Sequence, residues 1–432
     1  METRSPWWAV AGCFVALIGE GIGTFIAGPT MKPITADFGW TRTEFTLSGL
    51  WVSLAMMVGV PLAGQLVDRG WARGVLGAGA VLLGLALLGQ ASMQSLGEFW
   101  VLASFMGLGT GLLGGIPTAA LLARWFDQRR GLAIGIAGTG DAIAGLLLAP
   151  TLHALLGSGD WRRAYLYVAV FILAVLLPAI FFLIRDPGAT RMRAISAAGS
   201  ARLIATAAGD NQANLPVAQI TLRQGLRSLT FWALGFAMFL HVFYFSGIIV
   251  HFIALATDTG LSAKLAAIAF GSTIGLGIAG RIGGGWLGDR LSPRRVATVA
   301  LAATAVAALL LHWVDVPVAL WSFVLLHGLG IATTQAVIPL VVAASFGANN
   351  IGTFLGATML FQVPGGVLGA IAAAASFDQL GGYSPIITVW VVGNTLAALA
   401  IAATRPVASA ALPGVPNPTT QVSSAVLVSR SA

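Results

Sequence analysis

The sequence predicts an all-α integral membrane protein whose twelve transmembrane helices form two pseudo-symmetric halves of six. The chain of 432 residues is 57% hydrophobic and only 9% charged, whereas about 25% of the residues of a soluble domain are charged. Long apolar runs recur along the whole chain, which favours helices over the short alternating strands of a membrane barrel. A charged loop motif also occurs twice, once in each half.

Each predicted span is long enough to cross about 30 Å of hydrocarbon at the helical rise of 1.5 Å per residue. The first apolar segment, from Trp7 to about Pro29, is too long for a signal peptide, and no small-residue cleavage site follows it. The predicted spans are 7–30, 45–67, 74–94, 98–122, 131–153, 164–184, 229–255, 264–287, 296–314, 317–343, 351–376 and 383–404.

One long segment between spans divides the chain. Residues 185–228 are rich in Arg, Ala, Ser and Thr and show little apolar periodicity before "TLRQGLRS", so we predict a flexible linker that ends in a short surface helix. The N-terminal six-helix half is then 1–184 and the C-terminal half is 229–404. The tail over 405–432 is rich in Pro, Ser, Thr and Val and is predicted to be disordered.

The basic residues indicate the orientation. If both termini lie on one side, that side carries 17 of the 23 Lys and Arg residues, the opposite side carries five, and Arg281 remains in the membrane. The positive-inside rule places both termini in the cytoplasm. The low lysine and high alanine, glycine and arginine content fits a GC-rich bacterial genome, so we expect a cell inner membrane. Basic residues in loops on one side of the bilayer account for the net charge of +8. No nucleic-acid partner is therefore predicted.

The sequence lacks the motifs that several other classes of protein require. Neither Lys32 nor Lys264 belongs to a phosphate-binding loop, so an ATP-driven pump is not predicted. The single cysteine, Cys13, excludes an intramolecular disulfide and a cysteine zinc cluster. The glycines of "GLGTGLLG", 107–114, follow no strand, so we expect them to pack helices rather than bind a dinucleotide. We predict no enzyme activity, no cofactor and no metal site.

The repeated loop closes the second span as "GQLVDR", 64–69, and the eighth as "GWLGDR", 285–290, which lie 221 residues apart. Such charges can pair with a neighbouring helix end when that side of a transporter is closed, and a plain topology signal is the alternative. The matching Gly and Asp favour a gate, because topology needs only the arginines. The predicted gating residues are Asp68, Arg69, Arg73, Asp289, Arg290 and Arg294.

Three ionisable side chains are predicted near the middle of the bilayer. Arg281 lies eight residues before Asp289, or about 12 Å inside the membrane edge, and Glu20 and Asp141 lie at a similar depth. Each would cost about 2.5–3.5 kcal/mol at a lipid-exposed helix centre, so we expect them to face a cavity or one another. In the repeat register Arg281 corresponds to Val60, so the fold does not require this arginine.

We predict that Arg281 binds an anionic substrate, because a guanidinium binds a carboxylate bidentately and stays charged at any relevant pH. A structural ion pair with Asp141 or Glu20 is the alternative. These two carboxylates are the candidates for carrying a coupling proton, because burial disfavours the charged form and a nearby arginine favours it. Substrate on the arginine would then leave a carboxylate able to take up a proton.

Five further polar residues are predicted near the cavity. His241 is a candidate for proton coupling and His327 for substrate binding, with a hydrogen-bonded packing role as the alternative for each. Tyr244, Gln335 and Gln362 are candidate hydrogen-bonding partners of the substrate.

These features resemble the major facilitator superfamily over about residues 7–404. "KPITADFGWTRTEFTLS", 32–48, is similar to the start of the monocarboxylate and oxalate:formate transporter branch. "RWFDQRRGLAIGIAGTGDAIAGLLLAP", 124–150, resembles the signature of that branch at the fourth and fifth spans, and "TLRQGLRSLTFWAL", 221–234, resembles the start of its seventh span.

The resemblance implies alternating-access transport of small organic anions, often with a proton or by exchange. It also implies an arginine in the eighth span that meets the substrate carboxylate, and Arg281 occupies that position. Three features depart from the branch. Gly277 replaces an acidic residue one turn before the arginine, Phe25 or a neighbour replaces a lysine of the first span, and no second cation occurs over 351–376. The last departure favours a monocarboxylate over a dicarboxylate.

The predicted function is therefore secondary active transport of a small monocarboxylate, coupled to protons, by a monomer in a lipid bilayer. The alternative is a facilitator-type exporter of larger apolar or cationic compounds, which acidic midplane residues without a dominant arginine would suit better. A sensor that kept the transporter fold is a third reading, and the lack of a soluble signalling domain opposes it.

Overall fold

The computed structural model describes residues 5–126, 130–156, 160–185, 222–346 and 351–407. Twelve helices in these ranges are long and apolar enough to cross a membrane, which confirms the predicted fold class. They are α1 (Trp7–Phe25), α2 (Arg42–Val67), α3 (Ala72–Ser92), α4 (Leu96–Leu122), α5 (Leu132–Leu155), α6 (Trp161–Leu183), α7 (Leu229–Asp258), α8 (Ala263–Gly288), α9 (Pro293–Trp313), α10 (Pro317–Phe346), α11 (Phe354–Leu380) and α12 (Ser384–Ala403).

The linker and the tail fall mostly outside the described residues, so the predicted domain boundaries stay predictions. The predicted surface helix before the seventh span corresponds to the short helix Leu222–Leu226. Within the described ranges there is no β-strand.

The helix ends differ from the predictions where local chemistry intervenes. The first span ends at Phe25 rather than at residue 30, and a separate helix, Ala27–Phe38, continues it. Pro29 has no N–H to donate to the carbonyl of Phe25, which weakens a continuous helix at that point. The second span begins at Arg42 rather than at residue 45, because Thr41 and Glu44 cap its first turn reciprocally.

The packing repeats from one half to the other. In the first half α1 packs on α5, α2 on α4, and α3 on α4 and α6. In the second half α7 packs on α11, α8 on α10, and α9 on α10 and α12. Each pair has its counterpart six helices later, so the chain consists of two related halves, as the repeated loop predicts. Helices α5 and α8 form the most extensive contact between the halves.

Glycines allow the closest helix contacts. A Cβ atom at Gly140 on α5 would clash with the backbone oxygen of Phe14 on α1, and one at Gly369 on α11 would clash with the backbone oxygen of Phe243 on α7. Within "GLGTGLLG", a Cβ at Gly109 would lie 2.7 Å from the backbone nitrogen of Leu83. These glycines serve helix packing, where small residues let backbones approach.

We expect Gly140→Ala to destabilise the protein, because its methyl group would force α5 away from the Phe14 carbonyl. Such overpacking typically costs about 1–3 kcal/mol. The thermal unfolding midpoint in detergent should fall by several degrees. Gly138→Ala is the matched control, since a Cβ there meets no heavy atom within 4 Å. Equal midpoints for the two variants would contradict the packing described for α1 and α5.

Candidate functional site

A cavity of about 240 Å³ lies between the two halves. Helices α1 and α5 line it from the first half, and α7, α8 and α10 line it from the second. Its polar lining side chains are Glu20, Thr24, Asp141, Thr273, Arg281, His327 and Gln335. The three charged residues that the sequence places near mid-membrane therefore face one shared cavity.

The charged side chains share this cavity without a direct ion pair. Among the described residues, neither Glu20 nor Asp141 lies within 4.0 Å of a guanidinium nitrogen of Arg281. The Asp141 carboxylate lies against Gly21 of α1, and the Glu20 carboxylate lies against Gly114 of α4. The structure therefore does not contain the structural ion pair that was the alternative for Arg281. The guanidinium remains free to bind an anion.

The cavity is open toward one end of the bundle. We call the end at which α1 begins and α12 ends the terminus end, and the opposite end the far end. Helices α8 and α10 both run from the far end to the terminus end. Thr273 and His327, nearer the far end, are 3% and 4% exposed. Arg281 and Gln335, nearer the terminus end, are exposed. This difference in exposure indicates that the cavity is more open toward the terminus end than toward the far end.

Contacts with Tyr244 and Phe323 hold the His327 ring in place. Its Nδ1 atom lies 2.7 Å from the hydroxyl oxygen of Tyr244, and its ring stacks on Phe323 at 5.0 Å between centroids. This leaves Nε2 as the ring nitrogen that can serve the cavity. Tyr244 is fully buried and does not line the cavity. Tyr244 is therefore not placed for the predicted contact with substrate. It orients the His327 ring instead.

Two other predicted residues lie away from the cavity lining. His241, also on α7, is 2% exposed, and neither of its ring nitrogens has a hydrogen-bond partner in the described part of the chain. Gln362 is half-buried on α11 and does not line the cavity. Both side chains were expected at the cavity because depth along a helix is readable from sequence, whereas the side of the helix they occupy is set by packing.

Two of the departures from the monocarboxylate branch lie in the cavity wall. Phe25 and Gly277 both line it. The resemblance implies an acidic residue at the position of Gly277 and a lysine at Phe25 or a neighbour, and neither Phe25 nor Gly277 brings a charge into the cavity.

The predicted gating arginines contact their own half in this conformation. The Arg73 guanidinium lies 5.1 Å from the Phe181 ring, and that of Arg290 lies 4.3 Å from the Trp286 ring. Arg294 donates a hydrogen bond of 2.7 Å to the carbonyl of Thr404.

The other three predicted gating residues are Asp68, Arg69 and Asp289. Arg69 is exposed, and the side chains of Asp68 and Asp289 lie outside the described part of the structure. The gating role of these six residues stays a prediction.

At the far end, ion pairs join the two halves. Asp258, the last residue of α7, binds Lys32 at 2.5 Å and Arg42 at 2.7 Å. The Arg42 side chain is only 10% exposed, and its guanidinium lies 3.4 Å from the Phe377 ring centroid on α11. Both cations belong to the first half, and both of their partners here belong to the second.

Further hydrogen bonds extend these contacts. Asp378 on α11 accepts from the backbone N–H groups of Arg42, at 3.3 Å, and Thr43, at 2.7 Å. Arg42 also donates to the hydroxyl of Tyr383, which lies 3.0 Å from Nδ1 of His251. We call Lys32, Arg42, Asp258, Asp378, Tyr383 and His251 the far-end network. It closes the far end of the bundle in this structure.

Sequence reasoning missed this network, although the repeat contains a signal for it. Asp37 and Asp258 lie 221 residues apart, as do Arg162 and Tyr383, and this is the offset of the repeated loops. Asp37 pairs with Arg162 inside the first half at 2.5 Å. The hydrogen bonds from Arg162 and Trp161 hold the pKa of Asp37 below its usual range. In the second half a tyrosine replaces that arginine, and Asp258 takes its cations from the other half instead.

The sequence profile described as the Major Facilitator Superfamily matches residues 13–370. An uncharacterized MFS-type transporter, YcxA of Bacillus subtilis (strain 168), is 26% identical, with 92% of this chain and 94% of the relative covered. Monocarboxylate transporter 13 of Rattus norvegicus is 28% identical, with 76% of this chain and 72% of the relative covered.

A crystal structure of a D-xylose-proton symporter superposes with a TM-score of 0.72. The superposition covers 93% of this chain and 98% of that chain, at 14% sequence identity. Identity this low shows a shared fold and nothing about the substrate.

Proposed function

This chain belongs to the major facilitator superfamily of membrane transporters, and we propose that it is a secondary active transporter of a small organic monocarboxylate. The observation that carries the proposal is Arg281, which lines the cavity between the halves and makes no direct ion pair with Glu20 or Asp141. A guanidinium binds a carboxylate through two parallel hydrogen bonds. The likeness to a monocarboxylate transporter supports the same substrate class.

Substrate binding would then combine one charged contact with neutral ones. Arg281 binds the carboxylate, and His327 and Gln335 offer hydrogen bonds from α10. Among the described residues the cavity lining includes a single arginine, so one carboxylate is neutralised and a second would be left unpaired in a confined site. This favours a monocarboxylate over a dicarboxylate.

Alternating access would proceed by opening the end of the bundle that is now closed and closing the end that is now open. In the present conformation the far-end network closes one end and the cavity opens to the other, which we assign to the cytoplasm from the distribution of basic residues. Opening the far end requires Asp258 to separate from Lys32 and Arg42. The charged loops at the terminus end would then close that side.

Glu20 and Asp141 are the proposed carriers of a coupling proton. Both carboxylates line the same cavity as Arg281, and opposite charges attract across a partly desolvated cavity. A bound substrate anion offsets the arginine charge, so the carboxylates gain a proton more readily with substrate present. Binding of substrate and proton is then mutually favourable, as symport requires.

The exporter of larger apolar or cationic compounds is less well supported. A cationic substrate would meet the exposed Arg281 guanidinium in the cavity, and like charges repel strongly in a partly desolvated site.

The test is uptake of labelled acetate, lactate and pyruvate into proteoliposomes, with and without an inward proton gradient. Saturable uptake of at least one acid that rises with the gradient is the expected result. If the folded protein takes up none of these acids or their longer relatives, the proposed substrate class is wrong.

We expect Glu20→Gln or Asp141→Asn to remove the stimulation by the proton gradient, because the variant side chain cannot exchange a proton. Exchange of substrate for substrate without a gradient should persist in the same variant. Asp160→Asn is the control, since its carboxylate pairs with Arg163 on the surface. Full stimulation in both cavity variants would place the coupling proton elsewhere, with His241 the next residue to replace.

A further inference from the structure

A second cavity lies beside the first. It measures about 260 Å³, and Thr24 and Phe245 line both cavities. Helices α1, α2 and α4 of the first half and α7 and α11 of the second half form its walls. We call the cavity with Arg281 the charged chamber and the second one the hydroxyl chamber. Because both lie between the halves, both belong to the region that opens and closes during transport.

The hydroxyl chamber differs chemically from the charged chamber. None of the described residues that line it carries a charge. The hydroxyl groups of Ser53, Thr110 and Ser246 donate to backbone carbonyls of their own helices, at 2.8, 2.8 and 3.2 Å. Each hydroxyl proton is thus already used, and the oxygen lone pairs remain as acceptors. The side chains of Met56 and Met106 add adaptable apolar surface.

The two chambers together suit a molecule with two unlike ends. One end needs an anionic group for Arg281, and the other needs an uncharged, mostly apolar group that can donate a hydrogen bond. A water molecule occupies about 30 Å³ in the liquid, so the hydroxyl chamber has room for roughly eight groups of that size. An acid of two or three carbons would occupy the charged chamber alone and leave the second one unused.

We propose that the hydroxyl chamber is a binding subsite for the tail of the substrate, and that the substrate is a monocarboxylate with an aromatic or medium-length tail. This inference rests on the proposed function and narrows its substrate class. The carboxylate lies at Arg281, the chain passes Thr24 and Phe245, and the tail fills the hydroxyl chamber. A hydroxyl group on the tail can donate to the lone pairs of Ser53, Thr110 or Ser246.

The test compares three acids that share one carboxylate and differ in the tail: acetate, phenylacetate and 4-hydroxyphenylacetate. Their binding to the purified full-length protein in detergent is measured by calorimetry. We expect phenylacetate to bind at least about ten-fold more tightly than acetate, since buried apolar groups strengthen binding. The 4-hydroxy compound should bind at least as tightly as phenylacetate.

A variant that fills the hydroxyl chamber distinguishes binding of the substrate tail from binding of its carboxylate. A Cβ at Gly49, which lines the hydroxyl chamber, meets no heavy atom within 4 Å, so Gly49→Leu projects into open space. It should weaken phenylacetate binding about ten-fold and leave acetate binding within about two-fold. Ser53→Leu is the second variant, should Gly49→Leu not fold. Gly74→Leu on α3 is the matched control, since that glycine is equally unobstructed and lines neither chamber.

Three outcomes would overturn parts of this scheme in distinguishable ways. Equal affinity for acetate and phenylacetate would refute the subsite and leave the transporter of small acids intact. An equal loss of both ligands in Gly49→Leu and Ser53→Leu, but not in Gly74→Leu, would also refute it, because the chamber would then not discriminate tails. A folded wild type that binds none of the three acids would reject the proposed function itself.

Discussion

Arg281→Gln is expected to abolish saturable uptake of the carboxylate substrate, with a fall in kcat/KM of about 100-fold or more. The variant removes the only cation in the described cavity lining. A charge-assisted bidentate contact in a confined site contributes on the order of 3 kcal/mol or more, and about 1.4 kcal/mol corresponds to a ten-fold change. Uptake of labelled acid into proteoliposomes measures the loss.

Two further variants make the Arg281 result interpretable. Arg281→Lys keeps the charge but not the planar pair of donors, so uptake should be intermediate between wild type and Arg281→Gln. Arg223→Gln removes an exposed arginine of the short helix before α7 that does not line the charged chamber, and it should leave uptake unchanged. Uptake that survives Arg281→Gln in a folded protein would make this arginine structural.

Asp258→Asn is expected to open the far end. The variant leaves Lys32 and Arg42 without the carboxylate that holds them to the second half. The side chains of Lys32, Arg42 and Asp258 are 38%, 10% and 26% exposed. We therefore expect the contact to be stronger than a surface ion pair and weaker than a fully buried one. A loss of about 2 kcal/mol would raise the population with an open far end about 30-fold.

The repeat provides a matched control for this variant. Asp37→Asn removes the aspartate at the equivalent position, whose ion pair with Arg162 stays within one half. It should therefore leave the equilibrium between the two conformations unchanged.

Accessibility of a cysteine reports the opening. Cys13 is the only native cysteine and is buried, so Cys13→Ser provides a cysteine-free background. A single cysteine introduced at Ser246, in the hydroxyl chamber, is labelled with a membrane-impermeant maleimide added from the far end. Labelling should be about ten-fold faster or more in Asp258→Asn and unchanged in Asp37→Asn. Equal labelling rates in the single-cysteine parent protein, in Asp258→Asn and in Asp37→Asn would mean that the far-end network does not control access.

Most of the fold follows from one-dimensional properties of the chain. The length and apolarity of each segment predict twelve spans, and the 221-residue offset between "GQLVDR" and "GWLGDR" predicts the two related halves. The depth of Glu20, Asp141 and Arg281 is also readable, because each helical residue adds about 1.5 Å along the axis. The high energy of a charge in lipid predicts a cavity at that depth.

The sequence by itself therefore determined the spans, their pairing by repeat, and the depth of the charged residues. Only the tertiary structure decided which side chains share a space. It put Tyr244 behind His327 rather than in the cavity, kept Arg281 out of a direct ion pair, and joined Asp258 to Lys32 and Arg42 across the two halves. The physical reason is that helical rise fixes the position of a residue along its axis. Its direction around that axis, and the helix it meets, depend on packing against the rest of the chain.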